Sequence, residues 1–281
     1  MNHWTVQRLG FGLLLLATLV VVVPILLVIG LVVIRGLPAL SWEFISTAPR
    51  SGMKEGGIFP AIVGTVLLTL GTAVVAIPVG VGGAVYLAEY ARDTKLTRAI
   101  RLAILNLAGI PSVVYGLFGL GLFVLFLQFG TSIIAGALTL AIMTLPIIIS
   151  TSEEALRAVP VEFRTVNVSL GGTKWQGIQR IVLPQALPGI ITGVILGLLR
   201  AAGETAPILF TVAAFFLPRL PQSLFDQVMA LPYHLYVIST QVPGMPETQQ
   251  YGTALVLLIF VLSLNVSATL IRSYFRRRRQ W

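Results

Sequence analysis

Apolar residues fill long, unbroken blocks of this chain, and the charged residues are gathered between the blocks. A helix needs about 20 mostly apolar residues to cross roughly 30 Å of hydrocarbon. No charge lies between Arg8 and Arg35, which predicts a first span over 9–34. That run is longer than the apolar region of a cleaved signal, and no clear A-x-A site follows, so a retained anchor is expected. Gly56–Ala88 holds 33 residues without a charge and predicts a second span over 57–88. Leu102–Ser152 holds 51, too many for one crossing at about 1.5 Å per residue. The polar break Gln128-Phe129-Gly130-Thr131-Ser132 divides it into spans over 102–127 and 132–150. Two further blocks predict spans over 188–217 and 251–271. The expected fold class is therefore all-α, a polytopic membrane domain of about six transmembrane helices that occupies the whole chain, 1–281.

Composition agrees with the pattern. The chain is 56% hydrophobic and 10% charged, with a mean hydropathy of +0.93, whereas a soluble domain carries about 25% charged residues. There is no cysteine, which excludes disulfides, thiol catalysis and cysteine zinc sites. A net charge of +9 suggests nucleic acid at first, but five of the 19 basic residues are Arg272 and Arg276–Arg279 in the last ten positions. A basic tail behind an apolar helix holds that end in the cytoplasm, and no nucleic-acid partner is expected. With the N-terminus inside, fourteen Lys and Arg fall on the cytoplasmic side, four (Arg35, Arg50, Lys54, Arg219) fall outside, and Arg200 lies within the membrane. Both termini are thus expected to be cytoplasmic, with external segments over 36–55 and 218–250 and a cytoplasmic loop over 151–187. Glycines at 80, 82, 83, 116, 119 and 121 are expected to let helices approach closely in lipid.

The 151–187 loop reads as a string of short helices. Ser152 is a candidate cap for Glu153–Arg157, and Pro160 permits a fresh helix from Val161. Phe163, Val166 and Leu170 recur at helical spacing, Gly171-Gly172 stops that helix, and Thr173 is placed to cap a third one through Arg180. Short helices with an apolar edge outside the bilayer need a partner, or else they fold back on the protein's own helix ends. Gly171, followed nine residues later by Ile181-Val182-Leu183-Pro184, resembles the EAA loop of bacterial ABC import permeases, whose short helix inserts into a groove of the ATPase subunit. Thr165, Val166 and Asn167 stand where the residues that name that motif belong. The resemblance implies a coupling loop in which Glu154, Arg164, Leu170, Gly171, Lys174, Ile181, Leu183 and Pro184 meet the ATPase. No G-x-x-x-x-G-K-[ST] loop is present, so ATP belongs to a separate subunit.

Span five carries Arg200-Ala201-Ala202-Gly203-Glu204-Thr205-Ala206-Pro207. Arg200 lies twelve residues after Pro188, about 18 Å along a helix and near the middle of the membrane. A charge at that depth costs at least ~2.5–3.5 kcal/mol and usually marks a pathway. Arg200 and Glu204 share a helix face, so a structural salt bridge, within the helix or to another span, is one reading. The other is an oxyanion site. A guanidinium fork matches phosphate oxygens bidentately, and Glu204 can accept a hydrogen bond from the proton that phosphate still carries near neutral pH. Fully deprotonated sulfate offers no such proton. Thr205 joins these two as an expected pathway residue.

The blocks Gly56–Thr65, Ile77–Gly80, Tyr86–Tyr90, Gly109–Leu117 and Gly203–Pro207, taken in order, resemble the phosphate ABC transporter permease family of the PstA type. The resemblance implies a type I ABC importer permease fold in a bacterial plasma membrane. It also implies a heterodimer with a sister permease, two ATPase subunits and an extracytoplasmic phosphate-binding protein. No cofactor is expected on this chain; ATP and Mg belong to the partner ATPase. The same machine carrying sulfate, molybdate or tungstate is the alternative. A membrane-embedded hydrolase lacks support, since His3, His234, Asp93 and Asp226 all fall outside the expected spans. A stand-alone channel has no use for so structured a cytoplasmic loop.

Overall fold

The computed structural model describes residues 3–169 and 171–277. In chain order its helices are α1 (His3–Gly36), α2 (Trp42–Ser46), α3 (Phe59–Val85), α4 (Lys95–Ala108), α5 (Ser112–Gly119) and α6 (Ile133–Arg157). There follow α7 (Val161–Ser169), α8 (Lys174–Gly177), α9 (Leu183–Gly203), α10 (Ala206–Thr211), α11 (Leu231–Thr240) and α12 (Glu247–Arg277). A two-stranded hairpin, β1 (Pro49–Arg50) with β2 (Glu55–Gly56), lies in the first external segment. Among the described residues, five helical stretches are long and apolar enough to cross a membrane: 10–39, 59–90, 133–157, 174–203 and 247–274. A sixth exists if α4 and α5 count together as one broken span.

The broken span departs from the straight crossing expected over 102–127. α4 and the helix running from Ser112 to Phe126 meet at 102°. Gly109 closes α4, and Pro111 sits in an extended conformation with ψ 139°. Proline supplies no N–H and drives the preceding residue out of the α region, so the helix stops there. α4 turns Thr97 inward and leaves Leu96, Ile100, Leu102 and Leu105 exposed. The stretch expected over 188–217 also differs. Helix runs from Lys174 to Gly203, Glu204 is extended, and Pro207 opens the short α10. Beyond α10 the chain doubles back, with the Val228 N–H bonded to the Val212 carbonyl at 3.2 Å.

α6 is the hub. One turn of α9 after another meets it through a glycine: Gly189 against Ala155, Gly193 against Thr151, and Gly197 against Ile148 and Thr144. A Cβ at these glycines would stand 2.4–2.9 Å from those side chains, so only glycine allows this spacing. Gly80 does the same between α3 and Ile148, while Gly116 and Gly119 seat α5 on α10 and on Thr139. Gly82 and Gly121 meet nothing within 4 Å. The first N–H groups of α6 have no partner within the helix. Carbonyls of the re-entrant segment take them instead: Ser132 to Thr211 at 2.9 Å, Ile133 to Asp226 at 3.0 Å and Ile134 to Leu224 at 3.1 Å.

Among the described residues three apolar clusters result, the smallest of them Ala76, Ala141 and Ile148 between α3 and α6. One gathers Ile58, Leu140, Met143, Ile208, Met229, Leu231 and Ile238 from α3, α6, α10 and α11. The second gathers Ala84, Leu156, Val159, Ile178, Val182 and Ile190 at the opposite end of α3 and α6. α1 contributes to none of them: the most apolar part of its span is unburied, and it meets α12 where Gly36 lies against Tyr251 and Leu255.

Candidate functional site

The register between α9 and α6 fixes the depth of Arg200. Gly197 lies beside Ile148 and Thr144, so the next turn of α9 brings Arg200 level with Thr144 and Leu145, at the midpoint of α6. Arg200 is in the last turn of α9, where the negative end of the helix dipole favours a cation. Its Nε donates to Glu204 Oε1 at 3.3 Å. The intrahelical pair that the sequence allows is therefore formed, but it is long and uses one donor of the five on a guanidinium. Among the described residues, nothing else accepts a hydrogen bond from Arg200. The Arg200 side chain is 31% exposed, and beside it Gly203 has open space where a Cβ would point. Tyr115 on α5 lies near enough to feel the Arg200 charge and donates its hydroxyl to the Leu107 carbonyl at 2.8 Å.

Glu204 is the more enclosed partner, at 17% side-chain exposure. It lines a small cavity with Thr65, Thr69, Leu140, Ala201, Ile208 and Pro232. Thr65 does two jobs here. Its hydroxyl donates to the Ala61 carbonyl and accepts the Leu231 N–H at 2.8 Å, which pins the start of α11 to α3. Gly64 lets the Met229 carbonyl cross α3 at this point, since a Cβ would stand 1.9 Å from that oxygen. Thr205 is half-buried at the head of α10, where its carbonyl accepts the Leu209 N–H. His234, expected in an external loop, is buried on α11, and burial pushes its imidazole down to about 4, so it is neutral.

At the other end of α3 and α6 the charges close on one another. Arg164 on α7 donates to Glu89 Oε1 at 3.0 Å, to the Leu156 carbonyl at 2.9 Å and to the Val159 carbonyl. Lys174 on α8 donates to the Glu89 carbonyl and lies 4.8 Å from the Tyr90 ring centroid. Beside this knot, Glu153 Oε1 accepts from both Arg101 and Arg157 at 2.9 Å, and Arg101 also bonds the Leu87 carbonyl. Arg101, Glu153, Glu154 and Arg157 line a groove of about 240 Å³ between α4 and α6. Farther out, the Arg98 guanidinium beside Asp93 holds its carboxyl below the usual carboxylate range.

The structure thus pairs Arg200 with Glu204 and brings Arg164 and Lys174 together on Glu89, whereas Thr205 follows Glu204 in the chain and, among the described residues, makes no side-chain hydrogen bond to that pair. Glu154 is exposed on the last turns of α6, away from that knot. Gly171 holds φ +74°, the left-handed turn that ends α7. Ile181, Leu183 and Pro184 are half-buried on the helix leading into α9. Leu170 and the Val166 side chain lie outside the described residues, as do Arg278 and Arg279 of the tail. Two local expectations are corrected. Ser152 is no cap, because α6 runs unbroken to Arg157 with no proline between Pro146 and Pro160. The helix that Thr173 starts does not end at Arg180. A capping box with Gln176 opens α8, a wide π-helical turn over Ile178–Val182 follows, and helix continues as α9. Asn167, in the place of a motif residue, binds the Thr173 carbonyl at 2.9 Å and closes the α7–α8 turn. Glu89, Arg101 and Glu153 carry no distinguishing spacing in the sequence; an acid at the very end of an apolar run was the available signal.

A sequence profile for the family described as binding-protein-dependent transport system inner membrane component matches residues 76–281. The chain belongs to that family. This binding-protein-dependent transport component is 34% identical to the probable ABC transporter permease protein YqgI of Bacillus subtilis, over 95% of each chain. It is 35% identical to the phosphate transport system permease protein PstA 1 of Mycobacterium tuberculosis, over 93% of this chain and 85% of that one. The crystal structure of a bacterial alginate ABC transporter, in complex with an alginate pentasaccharide-bound periplasmic protein, has a chain that superposes with a TM-score of 0.65. That match covers 99% of this chain and 98% of the other at 15% identity, and it establishes a shared fold. The fold is that of an ABC importer permease, with several apolar helices in an inner membrane.

Proposed function

We propose that this chain is the permease subunit of an ATP-driven importer of inorganic phosphate and that Arg200 is its substrate contact within the membrane. The observation that carries the reading is the state of Arg200: a permanent cation level with the midpoint of α6, engaged through Nε alone, on an open helix face. Charges at such depth are costly and face a pathway. The names of relatives at 33–36% identity, such as the PstA proteins of Mycobacterium leprae and Xylella fastidiosa, supply the substrate. The free Nη groups suit two oxygens of one phosphate. Glu204 accepts a hydrogen bond from the remaining proton of hydrogenphosphate, and Thr205 is close by in the chain.

A binding protein delivers phosphate to the external face. A sister permease completes the pathway against the open α9 face, with a counterpart to Arg200. Two partner ATPases, which hold ATP and Mg, displace the Glu154–Arg180 loop, and the spans rock about the central site. Binding there is weak enough to release the anion inward. Both termini lie in the cytoplasm. The test is uptake of labelled phosphate at micromolar concentration in cells with and without this gene, with labelled sulfate in parallel. Loss of phosphate uptake alone is expected; loss of sulfate uptake with phosphate intact overturns the substrate and the roles of Arg200 and Glu204.

A further inference from the structure

We infer that Glu89 is a positioning residue that carries movement of the 161–182 loop into α3, a role that rests on the importer reading above. α3 does not end in an ordinary turn. Its last segment, Tyr86–Tyr90, is a wide π-helical turn in which the Ala91 N–H reaches back to the Tyr86 carbonyl at 2.8 Å. Single turns of this kind are rare and concentrate at functional places. The turn holds Glu89 with its side chain only 7% exposed. A carboxylate so enclosed must be paired, and Arg164 pairs it through both Nη2 at 3.0 Å and Nε at 3.4 Å.

The pairing joins parts that are far apart in the chain. Arg164 belongs to α7 and Lys174 to α8, on opposite sides of the Gly171-Gly172 turn, and both close on the same residue of α3. Arg164 at the same time holds the Leu156 and Val159 carbonyls at the end of α6. The loop therefore cannot shift alone: it drags the ends of α3 and α6, or it breaks an enclosed ion pair. α3 then runs from Glu89 past the Gly80–Ile148 contact to Thr65 and Thr69, which line the cavity of Glu204. One continuous helix, with Pro78 inside it, connects the loop to the candidate substrate site. Arg164, expected among the residues that meet the ATPase, hydrogen-bonds the protein's own helix ends.

The test uses the assembled importer with its ATPase subunits in lipid. Glu89→Gln keeps the shape and removes the charge; it is expected to lower phosphate moved per ATP hydrolysed about tenfold, with the ATPase subunits still co-purifying. Glu89→Asp is expected to recover part of that ratio. A second arm needs no substrate. The chain has no cysteine, so Arg92→Cys with Glu162→Cys places two spin labels on exposed sites beside the clamp. Their distance distribution is expected to stay narrow with and without ATP in the otherwise native chain and to broaden in the Glu89→Gln background. A wild-type transport ratio in Glu89→Gln, an unchanged narrow distribution in that variant, or loss of the ATPase from the complex overturns the inference. If the unaltered importer moves no phosphate, the functional reading fails, and the spin-label arm still judges the clamp.

Discussion

Arg200 and Arg164 are nearly equal in exposure, at 31% and 27%, and each stands beside a glutamate, yet their surroundings differ in kind. Arg164 has Glu89 and two main-chain carbonyls at the frayed end of α6, so its fork is consumed. Arg200 has one long bond to Glu204 and, among the described residues, none to a carbonyl, although it too lies in the last turn of a helix. The difference separates a guanidinium tied to its own fold from the one proposed above to meet a ligand. Exposure does not separate them, but the count of satisfied donors does. A helix end offers free carbonyls that draw an arginine inward. Arg200 lies at a helix end too, yet its side chain turns to Glu204 instead and leaves its other donors unengaged among the described residues.

Substitutions sharpen or break this contrast, and the largest effect belongs to Arg200. Arg200→Ala removes charged hydrogen bonds to the substrate and is expected to lower phosphate uptake about 100-fold, while co-purification with the ATPase is unchanged; normal uptake would dissolve the contrast. Next comes Arg164→Ala, which leaves Glu89 enclosed without its partner. It is expected to cut transport about tenfold and to lower the melting temperature of the complex, which Arg200→Ala should leave nearly unmoved. Glu204→Gln is expected to act on selectivity more than on rate. Competition by sulfate against labelled phosphate should rise several-fold, by roughly the worth of one charged hydrogen bond, and an unchanged ratio would remove Glu204 from discrimination. Smallest is Thr173→Ala, which deletes the capping box of α8 and should cost about 1 kcal/mol. Thermal unfolding should register it without a change in sulfate competition.

Much of the architecture was legible in the linear pattern because a bilayer imposes a length of about 20 apolar residues on any helix that crosses it. The polar break at Gln128–Ser132, the restart after Pro160 and the stop at Gly171 are local chemistry, and each lies where the chain placed it. The bend at Gly109–Pro111 was less legible. An uncharged run looks the same whether it crosses straight or folds, and α4 hides its polarity by aiming Arg101 at Glu153. The end of α9 at Gly203 was missed for a related reason: Pro207, Ile208 and Val212 after it are buried in and just after a short turn of helix packed on α5 and α6, while Leu209, Phe215 and Phe216 are exposed, and hydropathy does not distinguish these.

What the sequence determined by itself was the class of the protein, the number of apolar stretches and the presence of an arginine within one of them. Those follow from composition and spacing, which act residue by residue. Only the tertiary structure decided which arginine is satisfied and which is not. Arg164, Arg101 and Arg157 carry the same guanidinium as Arg200, and partners 75, 52, 4 and 4 positions away, respectively, set which of their donors are satisfied. Glu89 shows the same limit. Its partner lies on the far side of three helices, and no local rule connects them. Hydrophobic length is a property of the segment, whereas the satisfaction of a charge is a property of the packed neighbours, and those exist only after the helices meet.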